Sequence, residues 1–354
     1  MTDSTMESAI PPHLQCPRTR QRRVPDDYAP PYPSYVARHA PSVLRVVMAY
    51  FGVQYRPSEV TAKAAADALK EMTASFGATR GPGHWDRARW TDQAGFESVI
   101  LAAYWDDVEA FDAWFSAHGA SWSMVARDGI GTYTEVLRPH VERYETLFSN
   151  PDQPEGIAAL AQGMSGMIME HAYWGSARDR IPASQTDAMA PTGAASIVRD
   201  GNRVRVHGHD NLCLIRSGQD WSDTQREERT MYTDDVEPVL REGMEFLRDQ
   251  GASLGCYTNR YVVIENAAGQ PTTKSYGMSW WKSLSALERW SESHPTHVAI
   301  FGAAMKYLSK LGPEAKLKLY HEVTVTRADE QFFEYLNCHD QTGMLRSVSP
   351  QSTA

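Results

Sequence analysis

The chain has 354 residues, 42% of them hydrophobic and ten of them Trp, enough for one large core or two ordinary ones. Its formal net charge of −9 excludes nonspecific nucleic-acid binding, and no basic stripe interleaved with aromatics offsets it. Four scattered Cys (Cys16, Cys213, Cys256, Cys338) form no CxxC, no apolar run reaches membrane-spanning length, and no signal-peptide core opens the chain, so a cytoplasmic protein without membrane spans is expected.

Residues 1–42 carry eight Pro and the basic cluster Arg18, Arg20, Arg22 and Arg23. They read as an extended arm, solvated or laid across a partner subunit. Residues 43–149 then read strand 43–52, helix 56–76, weak strand 84–90, strand 96–105, helix 106–117 and a strand within 121–137. Residues 150–207 read as an irregular insertion with a Met-rich patch (Met164, Met167, Met169) ahead of HAYWG. In residues 208–340 the order is repeated: strand 210–217, helix 235–249, strands 253–265 and 273–281, helix 283–311 broken near Pro295, strand 316–326. Residues 341–354 form a tail.

The repeat is visible in the residues themselves. Segment 103–118 aligns without gaps with 279–294, matching Trp105 with Trp281, Trp114 with Trp290 and His118 with His294. Each copy passes from a strand into a helix through polar capping residues, Asp106–Asp107 and Ser283. Two βαββαβ units predict an α+β fold: duplicated ferredoxin-like units whose antiparallel sheets pack as a barrel with helices outside.

The candidate chemistry gathers in 294–325. At period two, Leu317, Leu319, His321, Val323 and Val325 share one strand face, while Lys316, Lys318, Tyr320, Glu322 and Thr324 share the other. His321 therefore points into an apolar interior, where an imidazole needs a partner or a task. His294 and His297 lie at the mouth of an apolar helix (Val298, Ile300, Phe301, Met305, Leu308). His294 has a counterpart in the other half, but Ser121 falls opposite His297, so one site per chain is expected. Two inward histidines flanking a helix suit a haem pocket, with His297 the first candidate for the iron.

Other candidates are weaker. Arg178 and Arg180, in an aromatic and Met-rich segment, could hold propionates or a polar substrate group. Ser217 closes an apolar strand before a glycine, and Glu142 or Glu145 could offer a carboxylate. His207 and His209 read as an exposed pair near a turn. There is no GxGxxG, P-loop, HExxH or CxxCH, so any haem would be noncovalent haem b.

The set YWGSARDR, NLCLIRSGQDWS, SYGMSWWKSLSALERWSESHPTHVAIFG and LKLYHEV resembles the aldoxime dehydratases of the haem-containing dehydratase family, along essentially the whole chain. The resemblance implies a lyase that turns an aldoxime into a nitrile and water, the oxime nitrogen binding ferrous haem. By motif it makes His297 the proximal iron ligand and His321 the distal acid and base. Ser217 and Arg178 would complete the distal polar set, Arg178 also touching haem, and a distal glutamate would be Glu145, with Glu142 close by. The resemblance and the arm imply a homodimer, and the 150–207 insertion would line the haem pocket. The competing readings are a haem peroxidase or dismutase on a related barrel, a bis-histidine haem carrier or sensor, and a haem-free interaction barrel.

Overall fold

The computed structural model describes residues 6–172 and 176–348; Tyr173, Trp174 and Gly175 of HAYWG and the tail residues 349–354 lie outside them. The arm contributes β1 (Ala37–Arg38). The first unit follows as β2 (Val47–Tyr55), α1 (Glu59–Phe76), β3 (His84–Thr91), β4 (Glu97–Trp105), α2 (Val108–Trp114) and β5 (Ile130–Leu137). Then come β6 (Tyr144–Phe148), β7 (Gly163–Met164), α3 (Ala177–Arg180), β8 (Ser196–Asp200) and β9 (Arg203–His207). The second unit comprises β10 (Leu212–Asp220), α4 (Arg226–Thr230), α5 (Glu237–Gln250), β11 (Cys256–Glu265), β12 (Pro271–Trp281), α6 (Leu284–Ser293), α7 (Pro295–Leu311) and β13 (Lys318–Thr326), and β14 (Gln331–Leu336) closes the series.

The expected capping residues do cap. Asp107 accepts from the backbone N–H groups of Glu109 and Ala110 at the start of α2. Ser283 accepts from Ala286 N–H in α6, and His294 caps α7 ahead of Pro295. Each such cap stabilises its helix by about 1 kcal/mol.

β1 and β7 pair with each other, and the remaining twelve strands form one antiparallel sheet. Its order is β6-β13-β10-β12-β11-β3-β4-β2-β5-β14-β9-β8. Both ferredoxin-like units can be read in it: β3-β4-β2-β5 in one half, and β13-β10-β12-β11 in mirrored order in the other. They join where β11 pairs with β3, Val263 opposite Arg89. β8, β9 and β14 extend the first unit's edge, while β6 extends the second's. The curled sheet encloses a core of Tyr50, Tyr104, Tyr276, Trp280, Phe333 and neighbours. Helices cover the outside: α1 and α2 over the first unit, α5 and α6 over the second.

The face of β13 opposite His321 is polar in sequence, yet its Tyr320, Glu322 and Thr324 are buried in the barrel interior. They are tolerated because the interior holds a matching charge. Arg216, fully buried and paired across strands with Glu322, sits 2.8 Å from Asp86 Oδ2, donates to Tyr320 Oη at 3.0 Å and lies over the Tyr276 ring. The arm's middle is largely exposed but anchored to its own chain by backbone hydrogen bonds. Asp179 accepts from the N–H groups of Arg23 and Val24 at 2.8 and 2.7 Å, and the Gln185 carbonyl accepts from Thr19 and Arg20.

Candidate active site

β10 and β13 pair so that Ser217 stands directly opposite His321, and directly opposite residues project from the same face. That face is the outer one, on the helix side. β6 brings Glu145 alongside, opposite Val323. His321 Nε2 lies 2.8 Å from Glu145 Oε1 and 3.0 Å from Arg180 Nη2, and Arg180 Nε donates to Glu145 Oε2 at 2.7 Å. All three side chains are buried. Burial alone would raise the Glu145 carboxyl, but the adjacent Arg180 and His321 hold it below the usual carboxylate range. One ring nitrogen thus has an acceptor and a donor in reach. Protonated, Nε2 can donate to Glu145; deprotonated, it can accept from Arg180.

Of the two glutamates left open by the sequence, Glu145 joins this cluster, while Glu142 lies half-exposed near His140. Of the two arginines, it is Arg180 that reaches His321. Arg178, expected in the distal set, instead forks onto Glu288 of α6 at 2.9 and 2.8 Å and donates to Ser285 Oγ and the Ala188 carbonyl. The reason is local geometry: two residues apart on a helical turn, their side chains leave α3 in nearly opposite directions. His209, read as exposed, is buried against Tyr257 Oη at 3.0 Å, whereas His207 is exposed.

His297 occupies the first turn of α7 and is buried. The Trp290 ring meets it edge-on at 4.6 Å, and the Ser291 backbone supports it. Burial pushes its pKa down to about 4, so the ring is a neutral imidazole, the form a metal ligand requires. His294 has a different place: it accepts from Thr296 N–H as the helix cap and packs on Phe246 at 4.6 Å.

The two halves differ along one row. In the first unit, Trp105 pairs with Val47, and four residues on, Leu101 pairs with Phe51, itself opposite Thr134. In the second, Trp281 pairs with Cys213, and four residues on, Gly277 pairs with Ser217, itself opposite His321. Where the first half has Phe51 and Leu101, the second has a serine and a glycine. Large apolar volume has been removed beside His321. Ile215, Ser217 and Leu319 on this face are only half-buried, as are Ile300, Phe301, Ala304 and Met305 on α7.

Residues 49–344 match the model of the haem-containing dehydratase family. The chain belongs to that family. It is 46% identical over 351 residues to an aliphatic aldoxime dehydratase of Pseudomonas chlororaphis, covering 97% of this chain and 99% of that one. It is 33% identical over 335 residues to a phenylacetaldoxime dehydratase of a Bacillus species, covering 92% and 94%. A crystal structure of aldoxime dehydratase superposes with a TM-score of 0.91 at 46% identity, covering 98% of this chain and all of that one. A second, crystallised with butyraldoxime, gives 0.92 at 45% identity, covering 97% of each.

A haem-containing dehydratase needs a ligand for iron and room for a flat apolar group. The second half fits both. His297 is neutral and held on two sides, the half-buried apolar side chains of α7 offer a surface for a macrocycle to cover, and the Ser217–Gly277 row opens space on the opposing sheet face. Sequence reasoning stopped short of Arg180's place at His321. The signal was present, since Arg180 stands in an apolar and aromatic segment, but a four-residue helix gives no phase from which to choose between Arg178 and Arg180.

Proposed function

We propose that this chain is a haem b-dependent aldoxime dehydratase, converting R–CH=N–OH to R–C≡N and water, with aliphatic aldoximes preferred. The observation that carries the reading is the His321 Nε2 flanked by both Glu145 and Arg180, beside the Ser217 hydroxyl. The aliphatic preference rests on the higher identity to dehydratases named for aliphatic aldoximes.

His321, charged against Glu145, gives its proton to the oxime hydroxyl, which leaves as water. The neutral ring, its lone pair turned from Arg180 to the substrate, then takes the proton from the oxime carbon, and the nitrile is complete. No net proton is consumed. Ser217 is the hydrogen-bond partner that orients the hydroxyl. Glu145 and Arg180 act through His321, each within hydrogen-bond reach of its Nε2. His297 would hold the haem, whose ferrous iron would supply a site for the oxime nitrogen and electron density for breaking the N–O bond. Arg178 braces α6 through Glu288 rather than touching substrate.

The peroxidase-like and carrier alternatives have no comparable support. Absorption spectra of the oxidised and dithionite-reduced protein test the reading: a five-coordinate ferrous form that shifts on adding butyraldoxime is expected. A bis-histidine ferrous spectrum, unchanged by aldoxime, would sink it. His321→Ala should keep haem and lose nitrile formation by about 10²–10⁴-fold. We place the protein in the cytoplasm as a homodimer, a reading supported by its four unpaired cysteines and the family resemblance, and testable by sedimentation. Among the described residues, no helix is long and apolar enough to cross a membrane.

A further inference from the structure

Behind the Glu145–Arg180 pair lies a cavity that the reaction above does not use. It has room for about 50 Å³ of solvent, enough for roughly three or four waters. Its lining includes exposed His13 and, from the catalytic cluster, buried Glu145 and Arg180, with His39, Tyr144 and Thr146 among apolar neighbours. His39 is the unusual member. Both its ring nitrogens are buried, and neither has a hydrogen-bond partner among the described residues. A buried imidazole without partners is costly unless water supplies them, and in this mostly apolar cavity His39, Thr146, Glu145 and Arg180 are polar groups that a water could bridge. Burial lowers the His39 pKa to about 4 against the opposing pull of Asp106, so the ring is neutral, one nitrogen a donor and the other an acceptor.

We infer that this cavity is a water channel joining solvent to the buried Glu145–Arg180–His321 cluster, with His39 as its inner relay. The inference rests on His321 being the acid and base. Whenever His321 stands neutral in the resting enzyme, a proton from solvent passes along the cavity waters to one His39 nitrogen while the other releases its proton to the water facing Glu145. Glu145 hands that proton to His321 Nε2, at 2.8 Å. One proton has moved inward: His321 is now protonated, Glu145 is again a carboxylate, and a flip of the His39 ring restores its first tautomer. The channel keeps His321 in equilibrium with solvent while the apolar side of the site stays dry.

The test is hydrogen–deuterium exchange at the imidazole C2 position, read by mass spectrometry in the haem-loaded enzyme, because that exchange needs water to reach the ring. His321 should exchange in the wild type despite its burial. His39→Phe, which fills the cavity, should slow it by at least about threefold relative to His140 in the same sample, and His39→Gln should restore most of the rate. Should His39→Phe fail to fold, Ala40→Phe blocks the same cavity from another wall. An unchanged His321 rate in the blocked variants, or none in the wild type, overturns the channel. Because the readout is independent of nitrile formation, it separates failure of the channel from failure of the dehydratase reading.

Discussion

The helix-covered faces of the two units share one framework and are filled in opposite ways. In the first, Phe51 packs on Trp114 at 5.5 Å and on Phe76 at 6.2 Å, and Leu101, Trp105 and Val136 complete a face without a gap. In the second, Trp290 keeps the place of Trp114, but its ring faces His297 instead of a phenylalanine. Thr134, which matches His321 by register, is an ordinary buried hydroxyl near Ser123. The lesson is that the site depends on small residues as much as on its histidines. The second unit carries two histidines, and Ser217 and Gly277 stand where the first unit has Phe51 and Leu101.

The comparison can be broken most severely at His297. His297→Ala should abolish haem uptake, leaving no Soret band on reconstitution, while Ser121→Ala, its aligned position in the first unit, should bind haem normally. Next in size is Ser217→Phe, which copies the first half's filling into the second. It should reduce nitrile formation at least about 10²-fold by occupying the space beside His321, with haem content the first quantity to measure. The converse change, Phe51→Ala, should leave specific activity per haem near wild type but cost about 3–5 kcal/mol in urea unfolding, since it hollows a packed face. If it lowers activity as much as Ser217→Phe, the first half is no passive support.

The smallest effect concerns pH. His39 is held near 4 by burial, below its ordinary value in the unfolded chain, so unfolding takes up a proton between those values. The apoprotein should therefore be less stable at pH 5 than at pH 7. His39→Phe should remove about 1–2 kcal/mol of that difference in paired denaturation curves. His171, likewise held near 4 by burial, should keep part of the acid sensitivity in the variant.

The fold was largely legible because its repeat is written in large residues. The Trp105/Trp281 and Trp114/Trp290 matches mark the same strand-to-helix passage twice, and the caps at Asp107 and Ser283 fall where alternation gives way to helical spacing. His321 and His297 were legible because an imidazole among valines or at the mouth of an apolar helix is conspicuous. What could not be read depends on pairing between distant strands. The burial of Glu322 depends on β10, which brings Arg216 beside it, and on β4, which brings Tyr104, whose hydroxyl lies 2.8 Å from it. The docking of the arm was hidden for a similar reason, since it uses backbone N–H groups, which every sequence possesses.

The tetrapeptide Ala177–Arg180 sends consecutive charges to three destinations. Arg178 grips Glu288 on α6, the helix whose Ser291 backbone supports His297. Asp179 clasps the arm at Arg23 and Val24, and Arg180 meets Glu145 and His321. Arg23 itself reaches Glu288 at 3.4 Å, closing the loop between arm and α6. Cutting away the arm is therefore not a surface trim. It would strand the buried Asp179 carboxylate without its amides, and the single turn that must rearrange in response is mechanically geared to both sides of the site at once.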